Sequence, residues 1–379
     1  MKVQVRQTID DINAGEWNRL AGDDPFLKQE FLAALEHSGS ACAASGWQPQ
    51  HLTCTDGSGR LVGALPLYLK SHSFGEYVFD WAWADAWQRA GLPYYPKFTS
   101  AVPFSPVPGQ RLLIDPLAER ASVINALLTT CIELAETSLA SSVHCLFPQE
   151  QELNEWTNKG FLLRKDCQYH WHNYGYADFE NWLATFTAEK RKKVHRERRR
   201  IREAGIDFIF LGGNDLDKAL LDTIYAFYAD TYHKRGRTPY LTREFFSEIV
   251  RTLPGSLLII LAKHRATPVA VAICFRNHDT LYGRHWGCGP EFHSLHFETC
   301  YYQGIEYCLA NGLNTFNPGT QGEHKLARGF EPTATWSAHW IADLRLRAAV
   351  ADFLRREAGM MNAYIQDAER HLPFHKQPL

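Results

Sequence analysis

Apolar and polar positions fall into two periods along this chain, and where the period changes the elements can be read. Residues 256–263 are an apolar run, 264–268 a turn, and 269–275 a second run. Arg276-Asn277-His278-Asp279 is turn chemistry, and 280–287 is a third run rich in aromatics, so the segment predicts three strands in a meander. Then the spacing changes. Residues 297, 301, 305, 308 and 309 are apolar or aromatic at helical intervals, and Asn311-Gly312 supplies a helix stop. A strand at 313–317, a short helix around 322–328 and a strand at 334–341 follow.

The first half reads in the same order. Strands are expected at 51–55, 61–69 and 77–87, a helix at 123–136, a strand at 142–147 and a short helix at 150–159. A local pattern recurs as well. Lys159-Gly160-Phe161 is followed after eight residues by His170-Trp171, and Arg328-Gly329-Phe330 after eight residues by His339-Trp340. Each copy is preceded by a proline, Pro148 or Pro318, that closes an apolar run. Matched order over this interval argues for two copies of one supersecondary unit. Meander, helix, strand, helix, strand is an α/β layered unit, each copy being a mainly antiparallel mixed sheet covered by helices.

Between the copies, 177–204 predicts one or two helices, with nine Lys/Arg against one Glu over 190–202. The expected division is residues 1–172 and 173–379, the second domain opening with this basic linker helix and closing with a helix at about 344–371. Residues 88–110 are rich in proline and glycine beside Tyr94, Tyr95, Phe98 and Phe104, a loop by composition.

Composition narrows the class. A length of 379 residues with 45% hydrophobic and 13% aromatic content supplies two cores. A net charge of −2 excludes a generally basic nucleic-acid binder, so any such role must be local. Nine cysteines without a C-x-x-C pair sit mostly in apolar runs, as expected in a reducing compartment. With no signal-like start and no membrane-length apolar run, the chain reads as soluble and cytoplasmic.

The element order resembles the GNAT acyltransferase fold present twice, and a tandem with a basic helix opening the second copy resembles the FemAB-type transferases. Asp24-Pro25-Phe26-Leu27, Gly46-Trp47-Gln48-Pro49, Glu76-Tyr77-Val78-Phe79-Asp80-Trp81-Ala82-Trp83, Leu295-His296-Phe297-Glu298 and Gln321-Gly322-Glu323-His324-Lys325-Leu326-Ala327-Arg328-Gly329-Phe330 resemble the FemAB-like predicted N-acyltransferases of peptidoglycan biosynthesis or recognition. The resemblance implies an acyl or aminoacyl group passed to an amine, a cell-wall precursor as acceptor, and no resident cofactor. It leaves the donor open between aminoacyl-tRNA and acyl-CoA, and the alternative to an enzyme is a non-catalytic binder of peptidoglycan fragments or RNA with a decayed transferase site. Acetyl-CoA enzymes of this fold carry a glycine-rich loop whose backbone N–H groups cradle pyrophosphate. Here the matching stretch, Cys288-Gly289-Pro290-Glu291-Phe292-His293-Ser294-Leu295-His296, lacks it, and Pro290 removes a donor.

Acyl transfer to an amine needs a base and a donor for the tetrahedral oxyanion. Lysines near the position of Lys325 contact substrate or oxyanion in FemAB-type relatives, so the resemblance puts Lys325 first; otherwise it is a solvated helix lysine. Glu298 and His296 are candidates for amine deprotonation, with Glu298 alternatively a first-turn carboxylate favoured by the helix dipole. Glu323 and His324 form a second acid/base pair. Tyr301, Gln321 and Arg328 are expected substrate contacts, as are Lys97 and Arg111 through acceptor carboxylates or phosphates. Arg191, Lys193 and Arg198 are the expected RNA contacts, against the alternative of a solvated linker helix. His285, Cys288, His293 and His296 match no zinc spacing, so no metal is expected.

Overall fold

The computed structural model describes residues 1–290, 292–320 and 322–375. The chain packs as two units: Met1–Asp166 with Ala334–Ala363, and Cys167–Thr333 with Tyr364–Leu379.

Unit 1 contains β1 (Lys2–Arg6), α1 (Ala14–Ala21), α2 (Gln29–His37), β2 (Trp47–Pro49), β3 (His51–Thr55), β4 (Leu61–Leu65) and β5 (Tyr68–Lys70). After these come α3 (Trp81–Arg89), β6 (Lys97–Ser100), β7 (Leu113–Ile114), α4 (Arg120–Thr137), β8 (Ser142–Leu146) and α5 (Leu153–Asn158). One antiparallel sheet has the order β1-β3-β4-β7. In the other, β2, β5, β6 and β8 are neighbours, with β6 and β8 parallel. Leu52, Val62, Phe98, Leu127 and Val143 join one buried core with α4. Each such side chain contributes roughly 2 kcal/mol by leaving water.

The strand β9 (Leu162–His172) leads into unit 2, with α6 (Phe179–Ala184), α7 (Ala188–Glu203), β10 (Ile206–Gly212), α8 (Lys218–His233) and α9 (Arg243–Thr252). Next are β11 (Leu257–His264), β12 (Thr267–Arg276) and β13 (Thr280–Cys288), the meander that the hydrophobic pattern predicts. The helical segment that follows is broken in the middle: α10 (Leu295–Phe297), a π-helical turn Glu298–Tyr302, then α11 (Gln303–Asn311), ended by Gly312 at φ 68°. β14 (Thr315–Asn317), a 3-10 turn Glu323–Arg328, β15 (Glu331–Ile341) and α12 (Leu344–Arg370) complete the chain. The unit 2 sheet runs β10-β11-β12-β13-β14-β9 and is antiparallel except for β13 and β14. Its core gathers Trp171, Trp182, Phe186, Ile260, Tyr302 and Phe316.

The sequence repeat has a structural counterpart. The amide of Gly160 donates to Thr157 and that of Phe161 to Trp156; the amide of Gly329 donates to Leu326 and that of Phe330 to Lys325. Both glycines have positive φ, 80° and 75°, the left-handed turn needed to leave a helix. Both phenylalanines are buried, and each copy runs on into an 11-residue strand. The destinations are exchanged. Trp171 and His172 of β9 pair with β14 in unit 2, whereas residues 337–341 of β15 pair with β8 in unit 1.

Three expectations of the element map are corrected. Residues 77–87 are not a strand: 81–89 form α3, because the alternating Trp-Ala-Trp-Ala run also places Trp83 and Trp87 one helical turn apart, and both are buried. The missing strand, β6, lies inside the stretch that composition assigns to a loop. The run 61–69 breaks at Pro66 into two strands of different sheets. By packing, residues 334–363, including most of the closing helix, belong to unit 1.

Candidate active site

In unit 2 the parallel pair β13–β14 is in register for only three residues, Thr280–Tyr282 against Thr315–Asn317. On the other side of β13, the register with β12 slips: Ile273 faces His285 while Cys274 faces Gly283, which leaves Arg284 as the extra residue of a β-bulge. Bulges re-aim side chains, and Arg284 is turned to the end of β14, donating to the Asn317 backbone oxygen at 2.9 Å and to its Oδ1 at 2.7 Å. Gly287 is required further along β13, since a Cβ there would meet the Phe227 carbonyl oxygen of α8 at 2.1 Å.

Lys325 stands on the 3-10 turn after β14 and is buried, with 2% exposure. Its Nζ donates to the Gly319 carbonyl at 2.6 Å, and no carboxylate of the described residues lies within ion-pair distance. Burial, reinforced by the Arg284 charge, pushes its amine down to about 7. The repeat places Trp156 at the matching position of the first copy, fully buried. The second copy alone carries an amine there.

Around Lys325 lies an aromatic and imidazole cluster. The Tyr301 hydroxyl meets His324 Nε2 at 2.8 Å. His296 packs against Trp286, Tyr301 and His324 with ring centroids 5.2, 5.3 and 6.1 Å away. Burial first, then His324, Lys325 and Arg328, push the His296 imidazole down to about 4, so it is neutral at pH 7. His324 is lowered by the same causes, burial before Arg328 and Lys325. Arg328 lies 3.4 Å over the Phe297 ring and donates to the His324 carbonyl and to Glu197 Oε1, at 2.8 and 2.7 Å. The π-helical turn sets this geometry by carrying Tyr301 and Tyr302, and such turns recur at functional sites.

Thus Lys325, His296, His324, Tyr301 and Arg328 are brought together. Glu298 is engaged by other partners. Its Oε1 accepts from Arg198 at 3.2 Å and from Gln303 at 2.8 Å. Its Oε2 is buried with no hydrogen-bond partner among the described residues, and burial raises its pKa despite Arg198. Glu323 is exposed and accepts from the Tyr364 hydroxyl at 3.1 Å. Gln321 lies outside the described residues.

Two substrate contacts expected in unit 1 are internal instead. Lys97 has no exposure; its Nζ donates to Glu76 at 2.8 Å, Asp80 at 2.5 Å and Ser73 at 2.9 Å. Burial would lower its pKa, but the two carboxylates outweigh that and hold it above the usual lysine value. Arg111 is equally buried, and its guanidinium donates to the carbonyls of Leu146, Gln110 and Val107.

The basic helix α7 has an inward face, Val194, Glu197 and Ile201, at helical spacing. Arg198 belongs with it, half-buried, held by Glu298 and Glu306 and lying 4.3 Å over Phe179. Arg191 reaches the Ala184 and Phe186 carbonyls at 3.3 and 3.4 Å, and Lys193 is exposed. Lys192, Lys193, Arg196, Arg199 and Arg200 form the exposed basic face.

A family model for FemAB-like proteins of peptidoglycan biosynthesis/recognition matches residues 8–376. This chain belongs to the FemAB-like family. No curated protein matches it. Among solved structures, this FemAB-like chain is similar to FemX at 12% identity and TM-score 0.54, covering 93% of this chain and 100% of the other. It is also similar to the C-terminal domain of a putative lysylphosphatidylglycerol synthetase from Agrobacterium fabrum, at 10% identity and TM-score 0.56, covering 90% and 96%. A third is L-PGS from Bacillus licheniformis, at 11% and TM-score 0.51, covering 88% and 97%. At these identities the likeness is one of fold, and the expected mixed α/β architecture with mainly antiparallel sheets is what the FemAB-like chain has. No helix among its described residues is long and apolar enough to cross a membrane.

Sequence reasoning missed Arg284, Asn317, Glu197 and Tyr302. Only Arg284 left a signal, a charge beside Gly283 in an otherwise aromatic strand.

Proposed function

We propose that this protein is an N-acyltransferase that moves an aminoacyl group from a charged tRNA onto an amine of a peptidoglycan precursor. The amine nitrogen attacks the ester carbonyl, the N–C bond forms, the C–O bond to the tRNA ribose breaks, and the proton shed by nitrogen ends on the leaving oxygen. The protonated Lys325 amine supplies the charge that steadies the tetrahedral oxyanion, and His324, the exposed imidazole of the cluster, carries the proton. Tyr301 fixes that imidazole by its 2.8 Å hydrogen bond. The observation that carries this reading is a buried lysine without a counter-ion among the described residues, replaced by Trp156 in the copy that lacks the cluster.

A tRNA donor is favoured over acyl-CoA by the turn after β13. The Gly289 amide is used on the Val269 carbonyl, Pro290 has none, and α10 is three residues long, which leaves a poor pyrophosphate cradle. The exposed basic face of α7 would meet ~3–5 phosphates of the tRNA, and such a donor sets the reaction in the cytoplasm. The test is loss of label from aminoacyl-tRNA that depends on an added precursor peptide. Wild-type turnover with Lys325→Ala slowed by about a hundredfold or more is expected. Precursor-dependent turnover of acyl-CoA but not aminoacyl-tRNA would reassign the donor. Full turnover by Lys325→Ala would end the assignment of this site.

A further inference from the structure

We propose that unit 2 holds a second site, which takes a free α-amino acid with an apolar or aromatic side chain. It is a cavity of about 350 Å³ walled by Phe210, Asp215, Leu257, Leu258, Arg276 and Tyr307. That volume is near the lower end for small-molecule sites, suited to one amino acid and too small for a peptide. The cavity lies where β10 ends, β11 begins and β12 ends. Arg276 is four residues along β12 from Ala272, the partner of Trp286, so it is ~13 Å from the strand position that meets His296. The two sites are separate.

Two opposite charges face this cavity without satisfying each other. Arg276 donates from Nε to the Gly255 carbonyl at only 3.4 Å and lies 6.0 Å from the Tyr307 ring centroid. Its guanidinium also hydrogen-bonds the Tyr307 phenol, but among the described residues no carboxylate comes within ion-pair distance of it, so its charge has no counter-ion and some of its five donors stay available. Asp215 is exposed and accepts from the Gly212 amide through Oδ2, at 2.7 Å, leaving Oδ1 open. Between them the wall is apolar. Phe210, 40% exposed, meets Tyr307 with ring centroids 5.4 Å apart, and Leu257, Leu258 and Pro254 complete it.

An α-amino acid matches all three features. Its carboxylate takes the planar fork of Arg276, its ammonium takes Asp215, and its side chain covers the rings. A simple anion would face Asp215, a simple cation would face Arg276, and a neutral apolar molecule would leave both charges unmatched as it excluded water.

The experiment is calorimetric titration of the full chain with L-phenylalanine, with 3-phenylpropionate and 2-phenylethylamine as probes lacking one charge each. Saturable binding of L-phenylalanine is expected, with both probes at least about tenfold weaker. Arg276→Gln and Asp215→Asn should each weaken it by about tenfold or more. Asp215→Asn keeps an oxygen for the Gly212 amide, so lost binding with an unchanged melting temperature isolates the charge. Lys325→Ala should bind L-phenylalanine as wild type does, which separates this site from the proposed reaction. Absence of heat with L-phenylalanine, L-tyrosine and L-leucine up to about 10 mM would overturn the proposal. Equal binding by either single-charge probe, or binding untouched by Arg276→Gln, would overturn it too.

Discussion

Lys325 shows how one buried side chain couples stability to pH. Its folded pKa is about 7, below the 10.5 of an unfolded lysine, and Lys70 in unit 1 is depressed in the same way by burial. Between those values the unfolded chain holds protons that the folded chain has released, so folding stability rises with pH from about 7 towards 10. Urea midpoints at pH 7 and pH 9 should show that rise, and Lys325→Met should remove on the order of 2 kcal/mol of it. An equal rise in the variant would show that Lys325 is not the titrating group. Catalysis should run the opposite way. If the charged amine steadies the oxyanion, kcat falls as pH climbs through about 7, and Lys325→Ala loses that falling limb from its residual rate. Lys325 was singled out by family resemblance alone, and its burial left no local sign in the sequence. Nor was the burial of Lys97 legible, since its partners Glu76 and Asp80 are 21 and 17 residues away and nothing local marks it as buried.

At the scale of elements, α7 turns from a helix charged on all sides into one with an anchored face. Arg198→Met would strip the cation from buried Glu298 and should cost about 3 kcal/mol in a urea denaturation. Lys193→Glu, on the exposed face, should leave the midpoint within about 0.5 kcal/mol of wild type. If α7 holds tRNA, the double variant Lys192→Glu, Lys193→Glu should lower the slope of log affinity against log salt by about 2. An unchanged slope would take the helix out of RNA binding. The meander β11–β13 and the helix stop at Gly312 were legible because period and turn chemistry agree there. The π-helical turn and the bulge at Arg284 were not, because each inserts one residue into a regular pattern and leaves the residue types unchanged.

At the scale of the whole molecule, the duplication was legible in the Gly-Phe repeat, but the exchange of closing strands was not. Both copies carry the same strand, so sequence alone is indifferent to which sheet each one joins. The exchange has a direct test. A chain stopped after Thr333 lacks residues 334–341 of β15 and leaves β8 without the partner of residues 142–146. It should collect in the insoluble fraction, whereas a nick in the exposed Gly236–Arg237 turn should leave a soluble complex. Soluble, cooperatively melting material from the truncated chain would show that β15 is dispensable.

The return of residues 334–363 to the first unit also orders events on the ribosome. Residues 1–166 emerge early, yet their second sheet keeps a bare edge along β8 until Ala334 and its successors are made. At about 5–20 residues per second, the stretch between Asp166 and Ala334 takes roughly 10–30 s to translate. For that interval the nascent amino-terminal half is an unfinished sheet, and a trigger for chaperone capture is written into the connectivity.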